Sequence, residues 1–254
     1  MTSSVTITTP TLQVRQYLLP KRAHTLSECE DAVGINVTGH RFAITDGATE
    51  AFDARNWAQR LAQNWVQSET TSSVAEFSNW LAAEGRSLHD SWNALILPWY
   101  SEEKARGGSF AAFVGVELEP APCSWQWRAT ILGDSCLFHC RGQELIKKLP
   151  LHNSASFGSN PILAASHPSV QSATLEHVVV EAGVMMLGDQ LLLLTDGVAA
   201  WYLLLDENGD LATRSAFTRL LRNEDSAGLT QLFESERTSG RLKDDDIAII
   251  SLEV

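Results

Sequence analysis

Short apolar runs separated by polar turns dominate the chain. Residues 32–37 and 41–45 are β-prone and flank Thr38-Gly39-His40, the pattern of a hairpin in which Gly39 takes a positive φ. Asp31 stands just before the first run and Asp46 just after the second. Antiparallel pairing therefore brings both carboxylates to one end. From 53 to 67 the spacing becomes helical, with Trp57, Leu61 and Trp65 on one side and Asp53 placed to cap the start. A second helix is expected over 74–97, carrying Phe77, Trp80, Leu81, Leu88 and Trp92 and ended by Pro98. Strands resume at 110–118, 125–132 and 136–140, interrupted by Gly133-Asp134-Ser135 and followed by the turn Arg141-Gly142-Gln143. Residues 151–172 are small, polar and proline-containing, and read as an irregular surface excursion. Strands at 177–180 and 190–194, helices over 198–205 and 213–236, and a last strand at 247–252 complete the pattern.

Neighbouring strands with short turns imply antiparallel pairing, and helices in blocks between them imply an α+β class rather than a βαβ alternation. Two packed antiparallel β-sheets flanked by helices accommodate this many strands. No long linker cuts the 254 residues, so residues 1–254 are expected to form a single domain.

Charge narrows the function. Asp and Glu number 31 against 19 Lys and Arg, a net charge of −12. No basic run is present to track a phosphate backbone or an anionic bilayer, so neither nucleic acid nor a membrane is an expected partner. The opening residues lack the basic and apolar regions of a secretion signal, and the expected compartment is the cytoplasm. The four cysteines, at 29, 123, 136 and 140, form no disulfide framework. Cys136, His139 and Cys140 suggest zinc by type, but strand alternation sends neighbouring side chains to opposite faces, and no second ligand pair follows.

The candidate chemistry lies in aspartates at strand ends. Asp46, Asp134 and Asp196 follow apolar runs, and Asp31 and Asp245 precede them. One such residue is ordinary turn chemistry. Five on one rim would repel one another unless cations join them, and all-oxygen ligands suit Mg²⁺ or Mn²⁺. Two such ions activate water and neutralise a phosphoryl group.

Glu30-Asp31-Ala32-Val33, Asp46-Gly47, Gly108-Ser109-Phe110-Ala111, Gly133-Asp134-Ser135, Thr195-Asp196-Gly197 and Asp245-Asp246-Ile247 occur in this order. The series resembles that of the metal-dependent protein phosphatases, the type 2C serine/threonine family, over roughly residues 28 to 251. The resemblance implies a β-sandwich between helix layers, a four-layer αββα fold, with a metal centre at one end. It implies a catalytic set of Asp46, Asp196 and Asp245. Asp46 bridges two metals, the Gly47 carbonyl joins the first, and Asp196 and Asp245 complete the second. Glu30 and Asp31 hold metal-bound waters, Asp134 with Asp196 matches a third-metal position, and 151–172 occupies the flap region. The implied cofactors are two Mg²⁺ or Mn²⁺ ions, with a third at Asp134. The implied substrate is a phosphoprotein carrying phosphoserine or phosphothreonine.

Two positions depart from the family. Asp46-Gly47-Ala48-Thr49-Glu50 stands where Asp-Gly-His-Gly-Gly is common, so a histidine proposed as general acid is missing. Leu26 stands where an arginine usually anchors phosphate, with Arg22 and His24 near but out of register. These departures keep a second reading open, a regulatory or binding module of the same fold with weak or lost catalysis. A haloacid-dehalogenase reading of Ile44-Thr45-Asp46-Gly47-Ala48 fails, because that chemistry needs an aspartate where Ile44 stands and expects a parallel sheet.

Overall fold

A computed structural model describes residues 9–70, 73–94, 96, 98–158 and 160–254. The opening segment read for a secretion signal falls largely in 1–8, and the last residue of the expected 74–97 helix is 97. Both lie outside the described residues.

Among those residues the strands are β1 (Gln13–Leu19), β2 (Asp31–Asn36), β3 (Arg41–Gly47), β4 (Phe110–Ala121), β5 (Ser124–Leu132), β6 (Cys136–Arg141), β7 (Glu144–Leu149), β8 (Ala164–Ala165), β9 (Val179–Met186), β10 (Asp189–Leu194) and β11 (Ile247–Glu253). The helices are α1 (Ala54–Gln67), α2 (Val74–Asn93), α3 (Trp99–Gly107), α4 (Pro168–Leu175), α5 (Asp196–Glu207), α6 (Leu211–Arg222) and α7 (Ser226–Thr238). One antiparallel sheet runs β1-β11-β10-β6-β7. The other runs β2-β3-β4-β5-β9, with β8 on β4.

Three apolar clusters show why the layers stack as they do. Leu191 and Leu193 of β10, with Ala248, Ile250 and Leu252 of β11, face Phe42, Ile44, Val114 and Val116 across the sandwich. The alternate residues, Leu192, Leu194, Ile247 and Ile249, pack under Trp201, Phe217 and Phe233 of α5, α6 and α7. A strand covered on both faces has no reason to alternate, which explains the unbroken run of leucines in β10. On the far side Trp57, Leu61 and Trp65 of α1, with Phe77, Trp80 and Leu81 of α2, cover the second sheet. The result is the expected four-layer αββα sandwich.

Several local expectations are corrected. In the β2–β3 hairpin the positive φ falls on His40, at 51°, and Gly39 instead donates its N–H to the Asn36 side chain. Asp53 precedes α1 but makes no capping bond to it. Its carboxylate accepts from the Asn56 amide and the Trp92 indole, tying α1 to α2. The long helix expected over 74–97 is α2 ending at Asn93, and Pro98 then caps the start of α3 rather than stopping α2. The helix expected over 213–236 is two helices, split at Asn223-Glu224-Asp225, where Asp225 caps α7 through the Gly228 N–H. The excursion 151–172 contains β8 and most of the first turns of α4. One expectation stands unchanged: strand alternation sends His139 and its neighbouring cysteines to opposite faces. His139 bonds Asp189, while Cys136 and Cys140 sit in the opposite apolar layer as free thiols.

Candidate active site

The hairpin fixes the first half of the site. Asp31 and Asp46 are direct cross-strand partners, so both lie on the same rim of the second sheet. β2 and β3 lie against β10 and β11 of the other sheet. There β10 ends at Leu194, Thr195 caps α5, and Asp196 opens the helix. Asp245 precedes β11, and Asp134 sits in the turn by which the chain passes from β5 in one sheet to β6 in the other. The Thr195 hydroxyl joins the halves, donating to Asp31 Oδ2 at 2.8 Å across the sandwich.

A cavity of about 870 Å³ opens at this rim. Asp46, Gly47, Asp134, Asp196 and Asp245 line it, with Thr49 and Glu50 at one wall and residues 160–163 of the excursion at another. Asp31 lies behind, buried to 3% exposure. Glu30 is at the margin, where its carboxylate accepts from the Thr49 hydroxyl at 2.6 Å and from Lys21 at 3.4 Å. Asp246 points the other way, its carboxylate taking the backbone N–H groups of Lys21 and Glu30, both at 2.8 Å. That brace holds the 20–30 loop against the start of β11 and fixes Glu30 beside the rim.

Electrostatics confirm that the carboxylates crowd one another. Burial pushes the pKa of Asp31 and of Asp46 well above the ordinary carboxyl range. Asp196 and Asp245 add repulsion to both, and Asp134 adds to it at Asp46. Asp134 is pushed up to about 6 by burial and by Asp196. Asp196 is raised by burial against the opposing pull of Lys243, and shares a hydrogen bond with Asp46. Cys29, buried beside Asp31, is held as a neutral thiol by the same burial. The donor set is thus oxygen only: carboxylates at a strained density, with the Gly47 backbone among them. Hard divalent cations fit such a set, and thiophilic ones do not. Among the described residues, no three acidic, His or Cys side chains already converge on one ion-sized point.

Lys243 stands beside these carboxylates. Its ammonium bonds Asp245 Oδ2 at 2.6 Å and reaches Asp196 Oδ2 at 3.7 Å. The sequence reading missed it, although it stands two residues before Asp245 in Lys243-Asp244-Asp245-Asp246. It also missed Thr49, Thr195 and Lys21, polar residues whose roles depend on contacts across the sandwich or the loops. Arg22, considered as a substitute phosphate anchor, is directed elsewhere. Its guanidinium bonds the Glu234 carboxylate and carbonyl and the Thr238 hydroxyl on α7. Leu26 is 59% exposed.

This is the fold of the type 2C metal-dependent serine/threonine phosphatases. The catalytic domain of the serine/threonine protein phosphatase PstP, in complex with two manganese ions, matches with a TM-score of 0.60 at 14% identity, covering 96% of this chain and 99% of that one. Stp1 from Staphylococcus aureus, a serine/threonine phosphatase, matches with a TM-score of 0.56 at 14% identity, covering 100% and 99%. PppA, a key regulatory component of T6SS in Pseudomonas aeruginosa, matches with a TM-score of 0.61 at 18% identity, covering 97% and 99%. No protein-family profile and no curated protein sequence matches this chain. No helix among the described residues is long and apolar enough to cross a membrane.

Proposed function

We propose that the protein is a metal-dependent phosphatase that hydrolyses phosphoserine or phosphothreonine on proteins. The observation that carries this reading is the meeting of Asp46 from one sheet with Asp196 and Asp245 from the other at one cavity, with Asp31 paired to Asp46 behind it and Asp134 on the link between the sheets. Asp46 and the Gly47 carbonyl would hold one divalent ion, and Asp196 and Asp245 would hold with Asp46 a second. Glu30 and Asp31 would orient water at the rim, and Asp134 with Asp196 would take a weaker third ion. Bound Mg²⁺ or Mn²⁺ would supply Lewis acidity for water and neutralise the phosphoryl charge. The chain's own contribution is to fix these carboxylates on rigid strand ends and to brace the 20–30 loop through Asp246. No imidazole follows Gly47, so the leaving group would take its proton from solvent or from a wall residue such as Glu50.

Asp46→Asn and Asp196→Asn should each remove essentially all Mn²⁺-dependent turnover of a phosphothreonine peptide while circular dichroism shows a folded protein. Substantial residual turnover at saturating Mn²⁺ would overturn the assignment. The missing imidazole and the ammonium on Asp196 and Asp245 favour a second reading, a regulatory module that binds phosphoprotein without turnover. Peptide binding with no release of phosphate in the wild-type chain would select it.

A further inference from the structure

Lys243 lines the cavity beside Asp196 and Asp245. Among the described residues it is the cation that touches Asp196 and Asp245. Its backbone is held on both sides. Leu242 is buried in the apolar layer under α5–α7, Asp244 accepts from the Arg22 N–H at 3.1 Å, and the Asp245 carbonyl accepts from Arg237 at 2.5 Å. Nothing comparable holds the side chain, which is 66% exposed. A fixed backbone carrying an exposed side chain whose ammonium rests on two cavity carboxylates is a tethered counter-ion. It can rest on the two carboxylates or swing into solvent with little loss of packing.

We infer that Lys243 is an internal competitor of the divalent metal at Asp196 and Asp245, so that loading of the site requires displacement of its ammonium. The inference rests on the metal-binding reading of those two residues. Two cations cannot share one oxygen pair without repulsion, so each ion's presence weakens the other by the same factor. The consequence is a raised metal threshold: the ammonium offsets part of the rim's charge at low metal concentration, and the site loads when Mn²⁺ or Mg²⁺ is more plentiful.

Calorimetric titration of the full chain with Mn²⁺ alone tests this, with no substrate present. Lys243→Gln should tighten Mn²⁺ binding by about two- to fivefold, the factor a partly exposed ion pair corresponds to. Lys243→Arg, which keeps the charge, should bind Mn²⁺ as the wild type does. The metal-free Lys243→Gln protein should also melt at lower temperature than wild type and gain more from Mn²⁺, because its carboxylates have lost their counter-ion. Binding in the wild type with unchanged or weaker affinity in Lys243→Gln overturns the inference and leaves the metal centre standing. Absence of Mn²⁺ binding in both wild type and Lys243→Gln overturns the metal centre itself, and the inference with it.

Discussion

Leu26 and Arg22 decide how phosphate would be held. A guanidinium grips two phosphoryl oxygens at once and supplies position as well as charge. Leu26 does neither, and Arg22 spends its guanidinium on Glu234 and Thr238. Arg22→Ala should therefore leave KM for an aryl phosphate unchanged. Its stability cost should stay below about 1 kcal/mol, since the pair with Glu234 is about half exposed. Leu26→Arg should raise kcat/KM, by about tenfold if the new charge-assisted bond aligns. Steady-state kinetics on both variants separate the outcomes: a loss of phosphate affinity in Arg22→Ala would show that this side chain leaves α7 to reach the substrate. The five rim aspartates were legible in the sequence because each adjoins an apolar run. Lys243 was not, because a lysine in an acidic turn looks like any solvated charge until the fold brings Asp196, nearly 50 positions away, beside it.

At the scale of elements, the β2–β3 hairpin was readable because both runs are β-prone and the turn between them is polar. Its register then fixed the Asp31–Asp46 pair. What could not be read was the price of close packing against α1. Gly34 lies on β2 where a Cβ would stand 2.1 Å from the Ala62 carbonyl oxygen and 3.1 Å from Val66 Cγ1. A backbone carbonyl inside a helix cannot move aside as a side-chain end can. Gly34→Ala should destabilise the protein by about 1–3 kcal/mol, the range for overpacking a filled site, measured by chemical denaturation. It should also weaken Mn²⁺ binding, since shifting β2 shifts Asp31. An unchanged midpoint would show that α1 can slide on the sheet. The missed break between α6 and α7 has a similar cause. Leu211 to Thr238 keeps an apolar stripe across the gap, so periodicity alone runs through it, and only the Asp225 cap and the φ of 54° at Glu224 end one helix and start the next.

At the scale of the whole molecule, the fold spends stability to keep its rim charged. Asp31, Asp46, Asp134 and Asp196 all hold protons more tightly than an exposed carboxyl, chiefly because of burial. Between the ordinary carboxyl value of 3.8 and the value of about 6 reached by Asp134, the rim therefore binds more protons in the native chain than in the unfolded one. The rim's contribution to stability in that window falls as pH rises, because it is complete below 3.8 and is lost as pH passes through the folded value. Carboxylates elsewhere act in the opposite sense: salt-bridged Glu181 and Glu234 are held below the ordinary range and favour the native state at higher pH. The two slopes overlap in the total, so the rim is isolated by difference. Asp134→Asn removes one rim carboxyl, and without divalent metal it should become more stable relative to wild type as pH rises from about 4 to about 6. The difference should approach about 3 kcal/mol, the linkage value of a two-unit shift. Mn²⁺ should cancel much of this gain, because it binds the deprotonated wild-type rim and stabilises it by mass action. Urea denaturation of both proteins across this range, with and without Mn²⁺, reads all four combinations. A constant difference between the two proteins over the whole pH range would mean that Asp134 titrates like a surface carboxyl and that the rim is not crowded.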